Sequence, residues 1–243
     1  MNSKENLESI ANKLAEIGFK IGAIKFNPEV PFTWASGLKS PIYNDNRMFL
    51  FHPDARKLII DGLEILATDA FSENENNRPD VVAGTSTAGI PHGYGLAERL
   101  GVPFIYVRDK PKGHGLQNQI EGIDASSDLS GKKVLLIEDL VSTGGSSVNA
   151  VQAIRNAKGE INYCFSIFSY GFPKANEVFG GTAPYNKDGA KLSVPCNFDS
   201  ILRYPTLLEF GIKNNYLKEN QENILKDWAQ NPEAWSEKFQ AES

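Results

Sequence analysis

Apolar residues at Leu7, Ile10, Leu14 and Ile17 recur at spacings of three and four, which predicts a helix over residues 3–17 ended by Gly18. Short extended pieces follow, IGAIKF and PFTW, then a turn, WASGLKSP, and a strand-like PIYNDNR. Pro53 stands where a helix can begin, and Leu58, Ile59, Leu63, Leu66 and Ala67 give that helix a buried face. The polar run SENENNRP, residues 72–79, reads as a loop. Beyond it the pattern changes to short apolar strands alternating with helices. Strands are expected at 80–84, 103–107, 133–137 and 161–169, with helices at 88–100 and 145–157. Three further helical stretches close the chain: TLLEFGIKNN, QENILKDWAQ and PEAWSEKFQ. Strands separated by helices imply right-handed crossovers and a mainly parallel sheet covered on both faces. The expected organisation is one α/β domain over residues 1–243. It comprises an N-terminal cap at 1–52, a core at 80–170 and C-terminal helices at 199–243.

Composition narrows the class. The chain has 243 residues, 41% of them hydrophobic and 23% charged, as in a soluble globular protein. A net charge of −5 argues against general attraction to nucleic acid or an acidic membrane, so any bound anion must be held by a local cationic cluster. Cys164 and Cys196 lack metal-ligand spacing and read as reduced thiols. With no secretory signal and no apolar run of membrane-spanning length, a cytoplasmic protein is expected.

Three stretches carry chemistry. In VLLIEDLVSTGGSS, residues 134–147, a buried strand runs into Glu138 and Asp139 and then into hydroxyls and glycines that open a helix. Backbone N–H groups, the positive helix end and the hydroxyls of Ser142, Thr143, Ser146 and Ser147 form a nest for phosphate. The acids repel phosphate, so their partners are hydroxyl donors or a metal, and a sugar 5′-phosphate fits both halves. A P-loop needs a lysine that GTSTAGIP, residues 84–91, lacks, and the G-x-G-x-x-G fingerprint is absent from a strand-to-helix junction. A helix-capping loop explains one acid but not the run. RDKPKGHG, residues 108–115, is the densest positive cluster of an acidic chain and follows a sheet strand; such a loop could close over a polyphosphate. GTSTAGIP repeats the strand, turn and helix-start pattern. Its backbone and the hydroxyls of Thr85, Ser86 and Thr87 could take a second phosphate.

VLLIEDLVSTGGSS is similar to the 5-phosphoribosyl-1-diphosphate (PRPP) motif of the type I phosphoribosyltransferases. FTWASGLKSPIYNDNR resembles the substrate segment of the orotate phosphoribosyltransferases, VRDKPKGHGLQNQIEG their mobile catalytic loop, and GTSTAGIP their diphosphate turn. The resemblance spans about residues 18–170. It implies the type I phosphoribosyltransferase fold, a twisted, mainly parallel sheet flanked by helices with an N-terminal hood. The implied reaction is transfer from PRPP to orotate, giving orotidine 5′-monophosphate and diphosphate. Mg²⁺ is bound mainly through PRPP, with no protein metal site of its own, and the mobile loop is shared between the subunits of a homodimer. The resemblance assigns PRPP to Arg108, Lys112, His114, Glu138, Asp139, Leu140, Val141, Ser142, Thr143, Gly144, Gly145 and Ser146. Among these, Lys112, His114 and Asp139 are the catalytic candidates. Ser142, Tyr43 and Arg47 are the orotate candidates; core packing and a surface ion pair are the alternatives for Tyr43 and Arg47. Ala35, Ala88 and Asp109 stand where well-known bacterial members carry basic residues. Transfer to another base, and a PRPP-sensing regulator without catalysis, are the competing readings. No helix-turn-helix signal or basic face supports the regulator.

Overall fold

A computed structural model of the chain describes residues 3–34, 37–72, 78–110, 119–124 and 126–241. Ala35, Lys112, His114 and most of the polar run at 72–79 lie outside these residues. The centre is a six-stranded sheet. In chain order its strands are β5 (Val81–Thr85), β6 (Phe104–Val107), β7 (Ile120–Glu121), β8 (Lys133–Val141), β9 (Glu160–Ser169) and β10 (Asn197–Arg203). Across the sheet the order is β10-β9-β8-β5-β6-β7, all parallel except β7, which runs against β6.

Alternation along β8 sets the layers. Val134 and Leu136 face α4 (Gly145–Asn156) and α5 (Pro173–Phe179), where they are buried with Val148, Val151, Ile154 and Val178. Leu135 and Ile137 point the other way, into a cluster with Leu14 of α1 (Ser3–Lys20), Ile59 and Leu63 of α2 (Pro53–Phe71) and Leu96 of α3 (Gly89–Leu100). A strand buried on both faces needs the near-continuous apolar run that VLLI supplies.

The hood is built from short pieces. β1 (Ile24–Phe26) pairs antiparallel with β4 (Ile42–Asn44), and β2 (Phe32–Thr33) with β3 (Lys39–Ser40). A 3-10 helix over Asn46–Phe51 leads to Pro53. A third apolar cluster joins Ile24 and Ile42 of this hood to Leu207 of α6 (Tyr204–Lys213) and to Leu225 and Trp228 of α7 (Glu222–Gln230). α8 (Pro232–Ala241) lies on β3, where Ser236 Oγ accepts a 2.9 Å hydrogen bond from the Lys39 amide.

Several expectations need correction. The first helix does not end at Gly18: it runs to Lys20, and Gly18 leaves room for Ile24, whose Cδ1 lies 2.6 Å from where a Cβ would sit. The strand expected to stop at residue 137 continues to Val141, so both acids lie in the strand. The C-terminal segment expected to be helical from residue 199 begins as β10, the sheet's edge strand. Its sequence NFDSILR is half polar, with residues depleted in strands, and pairing with β9 holds it extended. The helix α5 and the strand β7 were not anticipated.

Candidate active site

The carboxyl ends of β5, β6 and β8 open onto one cleft of roughly 450 Å³. Such a position, beyond the strand ends of a parallel sheet, is where ligands bind in open α/β folds. Asn44, Asp45 and Arg47 line it from the hood, and Ser86, Ala88 and Arg108 from the β5 and β6 ends. Glu138, Asp139, Leu140 and Ser146 line the β8 side.

The turn after β8 has a geometry that could hold an anion. Gly144 is the residue before α4 and has φ +81°, in the left-handed region. A Cβ there would also stand 2.8 Å from Val178 Cγ2, so only glycine fits on both counts. Helix α4 has twelve residues, and its first N–H groups have no carbonyl within the helix. Ser142 is half-buried, and Thr143 and Ser146 are exposed. Val141 is itself in the core, so it can offer a ligand only its backbone.

Two hydroxyls assigned by sequence to phosphate serve another end. Ser147 is buried and donates to Glu138 Oε2 at 3.1 Å. Thr85 is buried too and donates to Glu138 Oε1 at 2.6 Å. The Asp139 amide also donates to Glu138 Oε1, at 2.9 Å. Glu138 is thereby held between β5 and α4, and both acids line the cleft. Burial, with the Asp139 carboxylate beside it, pushes the Glu138 carboxyl up to about 8. Asp139 is only half-buried, and its carbonyl accepts a 2.7 Å bond from Asn46 Nδ2. Asn46 is 2% exposed and thereby fixes the hood to the acid pair.

The hood candidates separate. Arg47 clasps Asp45 through Nε to Oδ1 at 2.7 Å and Nη2 to Oδ2 at 2.8 Å, in the cleft wall. Hydrogen bonding from Arg47 holds the Asp45 carboxyl below its ordinary value. The side chain of Arg47 is still 69% exposed, so the ion pair leaves it open to a ligand. Tyr43 lies beside the cleft and not in its lining. Its ring tilts against Phe32 at 5.7 Å, Lys25 Nζ sits 5.9 Å from its centroid, and its hydroxyl donates to Asp45 Oδ2 at 3.3 Å. Asn44 takes the wall position instead.

Arg108 reaches the cleft from the end of β6 and pairs with Glu121 at 3.2 Å. Its amide donates to the Gln119 carbonyl at 2.8 Å, so the chain leaves and re-enters the sheet at one place on either side of the basic loop. Lys112 and His114 fall within residues 111–118, outside the described residues. Sequence reasoning passed over Asn44, Asp45 and Asn46. The signal available was a run of four polar residues, NDNR, beginning at the end of a strand.

The family described as phosphoribosyl transferase domain matches residues 55–170. Fold and cleft together define a type I phosphoribosyltransferase. The orotate phosphoribosyltransferase of Listeria monocytogenes is 41% identical over 227 residues, covering 93% of this chain and 99% of that protein. That of Streptococcus pneumoniae is 40% identical over 229 residues, covering 94% of this chain and 99% of its own. Among solved structures, orotate phosphoribosyltransferase from Aeropyrum pernix superposes with a TM-score of 0.61 at 25% identity, over 84% of this chain and 99% of that one. Leishmania donovani UMP synthase shares the fold at 24% identity, with a TM-score of 0.65 over 90% of this chain and 42% of that one. The chain belongs to the orotate phosphoribosyltransferase family.

Proposed function

We propose that the protein transfers the 5-phosphoribosyl group of PRPP to orotate, releasing diphosphate and orotidine 5′-monophosphate for pyrimidine nucleotide synthesis. The observation that carries this reading is the cleft at the end of β8, which Asp139 and Ser146 both line and beside which the turn at Gly144 opens α4. In this reading Ser142, Thr143, Gly144, Gly145 and Ser146 hold the 5′-phosphate, with the main chain at Leu140 and Val141. Asp139 takes the ribose hydroxyls. Glu138 completes that contact from behind, since both its oxygens already accept bonds from the protein.

Breaking the bond from ribose to diphosphate builds positive charge on the sugar and negative charge on the leaving group. Arg108, Lys112 and His114 stabilise the leaving group electrostatically where that charge develops. Orotate needs mainly to be held on the correct face of the ribose. Among the described residues no three of His, Cys, Asp or Glu converge to hold a metal. Mg²⁺ would be held mainly by substrate and water oxygens, with Asp139 of the cleft lining able to join them. When bound with PRPP, Mg²⁺ supplies charge neutralisation on the diphosphate oxygens. We further propose a cytoplasmic homodimer in which the basic loop of one subunit completes the partner's site, and a single functional domain over 1–243. No described helix is long and apolar enough to cross a membrane.

An absorbance assay with PRPP and Mg²⁺ tests the reading. Orotate is expected to be consumed only when PRPP is present, and uracil, adenine and hypoxanthine are not. Turnover of a purine without turnover of orotate would defeat it.

A further inference from the structure

The strand β4 ends at the cleft with Asn44, whose Oδ1 and Nδ2 are both buried and without a hydrogen-bond partner among the described residues. Its neighbours have partners. Asp45 accepts from the Arg47 side chain and amide and from Tyr43. Asn46 donates to the Asp139 carbonyl. In Asn44 the side-chain donor and acceptor are both buried and unused among the described residues. Leaving a buried polar group unpaired costs about 1–3 kcal/mol, and native interiors hold few of them. An apolar side chain would fill this place in the hood without that cost. An orphaned amide at the wall of a ligand cleft is one whose partner arrives with the ligand.

We infer that Asn44 pairs with the imide edge of the pyrimidine base and so positions it in the reaction proposed above, on which the inference rests. A 2,4-dioxopyrimidine presents a ring N–H flanked by two carbonyls. A carboxamide presents an acceptor beside a donor, and the two edges pair in one plane through two hydrogen bonds. The same pairing logic lets Asn and Gln read adenine. Asn44 Oδ1 accepts from the base N–H while Nδ2 donates to the adjacent carbonyl, the amide turning out of the wall as the base enters. Because the amide is already withdrawn from water, pairing with the base costs it no further hydration. A neutral reader suits an uncharged edge, whereas the exposed Arg47 three positions later suits the carboxylate of the same base.

The test is steady-state kinetics on Asn44→Leu and Asn44→Asp beside the unmodified protein. Losing two paired groups is expected to raise the KM for orotate on the order of tenfold to a hundredfold in Asn44→Leu. The KM for PRPP should stay within about twofold, since the phosphate nest is untouched. The same variant should melt at a higher temperature, because an unpaired amide has been replaced by an apolar group of similar size. Asn44→Asp has only acceptors, so it keeps one bond from the base N–H but sets its second oxygen against the adjacent carbonyl, and its orotate KM should rise as well. An unchanged orotate KM in a folded Asn44→Leu protein, or equal increases for orotate and PRPP, would overturn the inference. Absence of orotate turnover by the unmodified protein would instead overturn the proposed function, so the two failures are distinguishable.

Discussion

Glu138 and Asp139 are adjacent acids with different surroundings. Glu138 accepts from Thr85, Ser147 and the Asp139 amide inside the protein, whereas Asp139 stands half-buried on the hood side of the cleft. This yields a prediction with a definite sign. The folded-state value of Glu138 is raised from an ordinary 4.5 to about 8, so over that interval the folded protein binds a proton that the unfolded chain has lost. The stability it contributes is complete below about pH 4.5 and is lost as pH rises toward 8, at up to ~1.4 kcal/mol per pH unit. Glu138→Gln keeps a neutral group there and escapes this loss. Urea unfolding at pH 5 and pH 8 should show the variant gaining on the unmodified protein as pH rises; parallel curves would mean that Glu138 is ionised throughout. The acid pair itself was legible in the sequence. Their different surroundings were not, because these depend on the strand continuing past Ile137 in β8 and on Thr85 and Ser147 arriving from other elements.

The long periodic segments were read closely. α3, α4, β5, β6 and β9 lie within a residue or two of their expected bounds, since an apolar face repeating every two or every three to four residues has few other solutions. β10 and α5 escaped because neither is strongly patterned; one is specified by its neighbour β9 and the other by a proline start and burial against α4. The C-terminal helices were found, but their purpose is visible only in three dimensions. Trp228 of α7 is fully buried and packs edge-on against Trp34 at 5.8 Å, Tyr170 at 5.4 Å and Phe172 at 5.3 Å. Together with the Ser236 bond to Lys39, this holds the β2–β3 hairpin from which β4 and the cleft wall continue. Trp228→Ala should therefore destabilise the protein by about 3–5 kcal/mol in urea unfolding. It should also raise the orotate KM more than the PRPP KM, since the hood bears on the base side of the cleft. A loss below about 1 kcal/mol would show that α7 is merely appended.

At the scale of the molecule the charges pose a problem that one subunit's described residues do not solve. The chain carries a net −5, and the two arginines at the cleft already face acids, Arg47 with Asp45 and Arg108 with Glu121. A substrate bearing a diphosphate and a further phosphate needs more cation than that, and the sequence concentrates it in Lys110, Lys112 and His114. If that loop serves the neighbouring subunit, defects in loop and cleft should complement each other. Lys112→Ala and Asp139→Asn homodimers should each be nearly inactive. Unfolded together and refolded as a mixture, they should recover activity, because a mixed dimer has one site with an intact acid and an intact loop. Random pairing sets the ceiling at roughly a quarter of the unmodified activity, half the dimers each carrying one good site of two. Light scattering on the same sample establishes that dimers have formed. A mixture that is dimeric and still inactive would place the loop over its own subunit's cleft.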